Sequence, residues 1–187
     1  GDANGDGAAD SERLAALPCL PDGPFILCLG GTRPKKRLDL VLEAAGPLGT
    51  PVVCTGPETP EALALAAAHP QLILAGVVAD ALLPALIHAA GCVAILSTSE
   101  GFGLPALEAL AVGTPVVVSG DSVQAETSAG FGFEVDPALP TSIEAGIADA
   151  LACSSHDPRR TGGMAYAATF TWERTADALV SHWRTLL

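Results

Sequence analysis

The stretch Glu100-Gly101-Phe102-Gly103-Leu104-Pro105-Ala106-Leu107-Glu108, running on through Ala109-Leu110-Ala111-Val112-Gly113-Thr114-Pro115 into Val116-Val117-Val118, decides the fold. Pro105 has no amide hydrogen and a fixed φ, which suits the first position of a helix. Gly113 suits the residue just past a helix end, and Pro115 stops any continuation. The reading is a short helix over 105–112, entered from a glycine-bearing loop and left into an apolar strand. Gly101 and Gly103 can take backbone angles that other residues avoid, so a ligand can approach the main chain there. Unpaired amides around Gly103, Leu104 and Ala106, with the positive end of the helix dipole, suit an anion such as a phosphate.

Two carboxylates flank this helix start. Glu100 precedes the loop, and Glu108 lies one turn into a helix that is otherwise Leu, Ala and Val. The dipole favours a Glu early in a helix whether or not it has a task. No capping box explains it, because Pro105 stands where Ser or Thr would be needed. An ionised group on an apolar helix is costly unless it is paired or reaches a cleft, so a ligand role is the reading preferred for Glu108.

Outward from this stretch, short apolar runs alternate with helical spacing. Strands are expected over 25–29, 51–54, 71–75, 92–96, 115–119 and 131–135. Helices are expected over 38–45, ended by Gly46 and Pro47, then over 60–69, over 80–90 with Asp80 as N-cap, and over 122–129. Three further helices follow, at 141–152, 158–169 and 171–187. The last places Trp172, Ala176, Leu179, Val180, Trp183 and Leu187 on one apolar face, with Thr171 able to cap it. Continuous apolar strands separated by helices imply an α/β fold. It is a Rossmann-like three-layer sandwich with a parallel sheet of about six strands and right-handed crossovers.

The first run ends in Gly30-Gly31 and leads into a basic loop. Four of the nine Lys and Arg residues fall at Arg33, Lys35, Lys36 and Arg37, which in an acidic chain suggests a focused anion site. Ligands in such sheets bind beyond the carboxyl ends of the strands, where this loop lies.

These residues together resemble a known family. Glu-Gly-Phe-Gly-Leu-Pro-x-Leu-Glu-Ala-x-Ala-x-Gly-Thr-Pro-Val-Val is similar to the signature of retaining glycosyltransferases of family 4, which have the two-domain GT-B fold. The loop and helix from Gly30 to Ala44, Asp136-Pro137 and the segment from Phe170 to Ala176 resemble further landmarks of the domain that binds the donor. The resemblance implies that Lys36 neutralises the donor diphosphate, Glu100 hydrogen-bonds the transferred sugar, and Glu108 holds the ribose hydroxyls. Gly31, Gly101 and the main-chain amides of Phe102, Gly103 and Leu104 would lie against phosphate and sugar. Many members carry an Arg five positions before the lysine, where this chain has Gly31. Either Arg33 supplies the charge, or the chain belongs to the subgroup with Gly-Thr there.

The implied activity is transfer of a hexose, with mannose from GDP-mannose suggested and a UDP-sugar also open, to an acceptor the sequence does not identify. The nucleotide sugar is a substrate, and no cofactor or metal is implied. GT-B enzymes have two such domains, so the expectation is a donor-binding domain over 25–187. Residues 1–24 would be a linker from an acceptor-binding N-terminal half, present in cis or in trans. A non-catalytic nucleotide-sugar-binding or assembly module is the alternative. A glycosidase using Glu100 and Glu108 would need the two carboxyl groups facing one cleft.

Composition sets the outer bounds. A mean hydropathy of +0.42 over 187 residues, with 16 % charged residues, describes a well-cored globular chain. The net charge of −12 argues against nucleic acid or an anionic membrane as a general partner. The apolar region 77–96 is broken by Asp80, Pro84, His88 and Gly91, so no membrane span is read, and attachment to a membrane would come only through the other half. Five cysteines without a C-x-x-C pair suit a reduced, cytoplasmic setting. His69, His88, His156 and His182 are too scattered to hold a metal. Asp2, Asn4, Asp6 and Asp10 imitate half of a calcium loop, but Arg13 stands where its bidentate carboxylate belongs, and Asn4-Gly5 matches the hinge of the family instead.

Overall fold

The structure, a computed structural model, describes residues 20–186. Residues 1–19, with the calcium-like loop, Asn4-Gly5 and most of the expected linker, lie outside the described residues.

All six expected strands form: β1 Ile26–Cys28, β2 Val52–Cys54, β3 Leu72–Leu74, β4 Cys92–Ile95, β5 Val116–Ser119 and β6 Phe133–Val135. They pair in parallel in the order β3-β2-β1-β4-β5-β6. Eight α-helices accompany them among the described residues: α1 Leu38–Leu48, α2 Pro60–Ala68, α3 Leu83–Ala89, α4 Leu104–Ala111, α5 Val123–Ser128, α6 Pro140–Leu151, α7 Pro158–Ala167 and α8 Trp172–Leu186.

Successive strand residues face opposite layers, so each strand serves two cores. Ile26, Cys28, Val52, Cys54, Cys92 and Ala94 pack with Val41 and Leu42 of α1 and with Ile143 and Ile147 of α6. Leu27, Val53, Val93, Ile95, Val116 and Val118 pack with Leu86 and Ile87 of α3 and with Ala106 and Leu110 of α4. Each fully buried Val, Leu or Ile contributes about 1.5–3 kcal/mol, which is why the strands read as unbroken apolar runs.

Two helix boundaries differ from expectation for reasons of hydrogen bonding. Helix α1 runs through Gly46 and Pro47 and ends only at Gly49, whose φ of 60° lets its amide reach Ala45 and Gly46. Thr50 N–H also donates to the Ala45 carbonyl at 3.3 Å, closing a Schellman cap. Pro47 removes one donor, in the last turn, where the loss is tolerated. Asp80 does not cap a helix by its side chain. It opens a 3₁₀ turn, Asp80–Leu82, in which the Leu83 amide bonds the Asp80 carbonyl. An α-helix from this point would need an amide on Pro84 to reach that same carbonyl, and proline has none.

Helix α8 has the expected Thr171 cap, with the Arg174 amide 3.2 Å from the Thr171 hydroxyl. Its apolar face is not covered: Trp172, Leu179, Val180 and Trp183 are all exposed. No helix among the described residues is long and apolar enough to cross a membrane.

The strand order sets the place of the site. From β1 the chain winds outward to β3, then returns to pair β4 against the other edge of β1. The winding direction reverses there, so the loops after β1 and β4 part and leave a crevice between them.

Close backbone packing supports the β1 side of that crevice. Gly31 N–H donates to the Thr55 carbonyl at 2.6 Å and Gly56 N–H to the Gly76 carbonyl at 2.7 Å. A Cβ on Gly56, where φ is 134°, would sit 2.6 Å from the Gly31 Cα. Gly56→Ala is therefore expected to destabilise the chain by about 2–4 kcal/mol through overpacking and backbone strain. Chemical denaturation checks this, and an unchanged midpoint would contradict the close approach.

Candidate functional site

The loop after β1 closes on itself before it meets the site. A 3₁₀ turn over Pro34–Lys36 ends at Arg37, which takes a left-handed conformation at φ 50° and starts α1. Thr98, in the loop after β4, donates its amide to the Lys35 carbonyl at 2.9 Å and ties the two loops together.

This fold divides the four cations of the loop. Arg37 is committed to Asp39 at 3.1 Å. Arg33 is exposed, with Nη2 3.4 Å from the Gly30 carbonyl. Lys35 is exposed and serves the tie through its main chain. Lys36 alone turns into the crevice. Its Nζ lies 2.7 Å from Glu100 Oε1, with side-chain exposures of 13 % and 15 %. A Cβ on Gly30 would meet Lys36 Cε at 3.0 Å and Nζ at 3.2 Å, so the glycine is what lets the ammonium lie over the strand end.

Glu100 thus meets Lys36 across the point where the winding reverses. Partial burial pushes its carboxyl upward. The hydrogen bond from Lys36, with the Ser97 hydroxyl and the charges of Lys36 and Lys35, outweighs that and holds it below the usual carboxylate value.

The Phe102 loop is set from below by α5. Gly103 has φ 84° and precedes α4, whose first residue is Leu104 with Pro105 second, one position later than its expected place at the helix start. A Cβ on Gly103 would lie 3.3 Å from the Gln124 Cα and 3.4 Å from Thr127 Oγ1. Thr127 donates its hydroxyl to the Phe102 carbonyl. The wholly buried Gln124 donates Nε2 to the Ser97 carbonyl at 3.2 Å. The amides of Phe102, Gly103 and Leu104 donate to no described residue.

Glu108 stands on the exposed side of α4. Partial desolvation, and then the negative charge of Asp80, push its carboxyl above the usual value. Glu100 is engaged by a lysine and Glu108 is crowded by an aspartate, so the two carboxylates have different electrostatic settings.

Beside Gly30 and Gly31 opens a groove of roughly 560 Å³, lined also by Thr32, Arg33, Thr59 and Glu61. Among the described residues no group of three or more His, Cys, Asp or Glu side chains is placed to hold a metal ion. Cys28, Cys54 and Cys92 are buried in the sheet, and burial raises the thiols of Cys54 and Cys92 to about 11 and about 12.

The structure brings together Gly31, Lys36, Glu100, Gly101, Phe102, Gly103 and Leu104, leaves Arg33 on the rim, and sets Glu108 on the flank of α4. Sequence reasoning did not single out Ser97, Gln124 and Thr127. Polar residues at 124 and 127, three apart on a helix that must bury one face, were the available signal.

Fold and site define an α/β domain with a cation and an open helix start at its topological switch point. The chain belongs to the glycosyl transferases group 1 family, which matches residues 15–165. It is 34 % identical over 192 residues to a D-inositol 3-phosphate glycosyltransferase of Mycobacterium avium, covering 91 % of this chain and 44 % of that protein. A protein of the same description from Segniliparus rotundus is 42 % identical over 104 residues, covering 54 % and 23 %. A solved sucrose-phosphate synthase of Thermosynechococcus elongatus superposes with a TM-score of 0.78 at 21 % identity, over 96 % of this chain and 48 % of that one. The chain spans less than half the length of these relatives. It is a domain of the kind that forms the C-terminal half of a GT-B glycosyltransferase.

The two carboxylates should have opposite effects on stability. Glu100, depressed in the folded state, contributes stability above its unfolded value near 4.5, and this is lost as the pH falls through the folded value. Glu108, raised in the folded state, costs stability once ionised, as the pH climbs from about the same unfolded value through the folded one. Glu100→Gln is therefore expected to lower the unfolding midpoint at pH 7 and Glu108→Gln to raise it slightly, both differences shrinking towards pH 4. Thermal scans between pH 4 and 8 check the signs, and same-direction shifts would contradict the assignment.

Proposed function

We propose that this chain is the donor-binding half of a retaining glycosyltransferase, which takes a hexose from a nucleotide-diphosphate sugar. The observation that carries the reading is the Lys36–Glu100 pair at 2.7 Å, next to free amides at the start of α4. It offers one cation and several main-chain donors where a diphosphate would lie, and a carboxylate where sugar hydroxyls would lie.

In the transfer, the bond from the anomeric carbon to the diphosphate oxygen breaks and its electron pair stays on the diphosphate. The oxygen of an acceptor hydroxyl forms the new bond to that carbon with retention of configuration, and the hydroxyl proton passes to the departing diphosphate oxygen. The protein's task is to stabilise the charge that grows on the leaving group. Lys36 has three donors, so it can keep Glu100 and still meet a phosphate oxygen. Arg33, on the rim of the groove, adds a second cation at longer range. Glu108, as an acceptor for paired ribose hydroxyls, exchanges its unfavourable setting beside Asp80 for two hydrogen bonds.

The acceptor would be held by the other half of the protein, in cis or in trans. Relatives named for D-inositol 3-phosphate make a phosphorylated polyol the first acceptor to try. The family resemblance suggests mannose, so GDP-mannose is the first donor to try, with UDP-sugars next.

The test is thermal unfolding of this chain with UDP, GDP, ADP and their sugar conjugates. At ten times its dissociation constant, a ligand is expected to add about 1.4 kcal/mol, or roughly 3–5 °C in a chain of this size. Lys36→Ala and Glu108→Ala are each expected to abolish the shift. A shift that survives both substitutions would place the nucleotide elsewhere.

A further inference from the structure

Four aromatic rings run in series along one side of the domain. Phe131, between α5 and β6, lies 5.6 Å from Tyr166 on α7. Tyr166 meets Phe170 edge-on at 5.1 Å. Phe170 in turn meets Phe102 edge-on at 6.2 Å. The inner end is firmly seated: a Cβ on Gly162 would lie 2.6 Å from Phe131 Cε1, so α7 packs against that ring without space to spare.

The outer end differs. Phe102 and Phe170 are 49 % and 45 % exposed, so neither ring is there to fill the core. The loop that carries Phe102 has few other restraints. A Cβ on Gly101 would meet nothing within 4 Å, and among the described residues the side-chain tie on the main chain from Gly101 to Gly103 is the Thr127 hydroxyl on the Phe102 carbonyl. Gly103 is packed on Gln124 and its carbonyl accepts the Ala106 amide at 2.9 Å, so the freedom left lies on the Gly101 side, where the peptide can still swing about the Thr127 tie. The edge-on contact with Phe170 is a second point of attachment, and two points set a direction where one sets only a position.

We infer that Phe170 is a positioning residue of the donor site, holding the ring of Phe102 so that the amides of the loop face the bound phosphate and sugar. This rests on the donor-binding reading above. Phe170 touches no reacting group. It acts through Phe102, and through the Tyr166–Phe131 stack it refers the loop to α7. Because Phe170 is two residues ahead of α8, the same contact links the loop to the start of that helix. An edge-on aromatic pair contributes only a small fraction of the stability of a domain. The expected effect is therefore on ligand affinity in a chain that stays folded.

Titration calorimetry with UDP, GDP and ADP in turn, on the native chain and on variants folded by circular dichroism, tests the inference. Phe170→Ala is expected to weaken the nucleotide that binds the native chain by roughly three- to tenfold. Phe170→Tyr keeps the ring edge and is expected to restore affinity to within about twofold, a rescue that general destabilisation would not give. Trp183→Ala, farther along α8, is the control and should bind as the native chain does. In a Phe102→Ala background, Phe170→Ala should have no further effect. If Phe170→Ala does not fold, Phe170→Leu carries the same comparison. Native affinity in the Phe170 variant, or equal loss in Trp183→Ala, overturns the inference and leaves donor binding standing. No binding by the native chain overturns donor binding and this inference with it.

Discussion

Everything at the site depends on one contact made across the line where the sheet changes its winding direction. Lys36 comes from the loop after β1 and Glu100 from the loop after β4, and they meet at 2.7 Å. A parallel sheet aims all its carboxyl ends the same way, but most adjacent ends are separated by the helix that leads from one strand to the next. Between β1 and β4 no such helix intervenes. The ion pair occupies the resulting gap, and the glycines at 30, 31 and 56 allow main chain and lysine to lie closely enough for it to form.

That contact also bears on how an acidic chain would hold the anion proposed for it. A net charge of −12 opposes anions at long range, so attraction has to be local. Cations are concentrated in the loop after β1, yet Arg37 is paired with Asp39, Lys36 with Glu100, and Arg33 and Lys35 are turned to solvent, so a bound anion would draw on the remaining donors of Lys36 and on the α4 amides. A partly sheltered pair is screened less by salt than exposed arginines would be.

Much of this was legible in the sequence because strands buried on both faces are written as unbroken apolar runs. The Val116-Val117-Val118 run could hardly be read otherwise. Pro105 and Gly113 framed α4 because each residue has a narrow backbone role. The boundaries that moved did so through hydrogen bonds that a local reading does not weigh: the Gly49 cap carried α1 past Gly46 and Pro47, while Pro84, lacking an amide, left a 3₁₀ turn at Asp80. The signature stretch pointed to Lys36 and Glu100 separately. Their meeting, the Thr98–Lys35 tie and the support from Gln124 and Thr127 depend on strand order, and no local pattern encodes which strand lies beside β1.

The sequence distance across the ion pair has its own consequence. Lys36 and Glu100 are 64 residues apart. The β1–β2–β3 part of the sheet can pair through short, local crossovers, whereas the β1–β4 ladder requires a much larger loop to close. Neither flank of the sheet holds both partners. The proposed anion site therefore does not exist in a partly assembled molecule, and the ligand affinity proposed for it would require the two flanks to have joined along β1. A bound nucleotide would act as a clasp on that seam, and by mass action it would favour the fully assembled sheet over any species in which the halves had come apart.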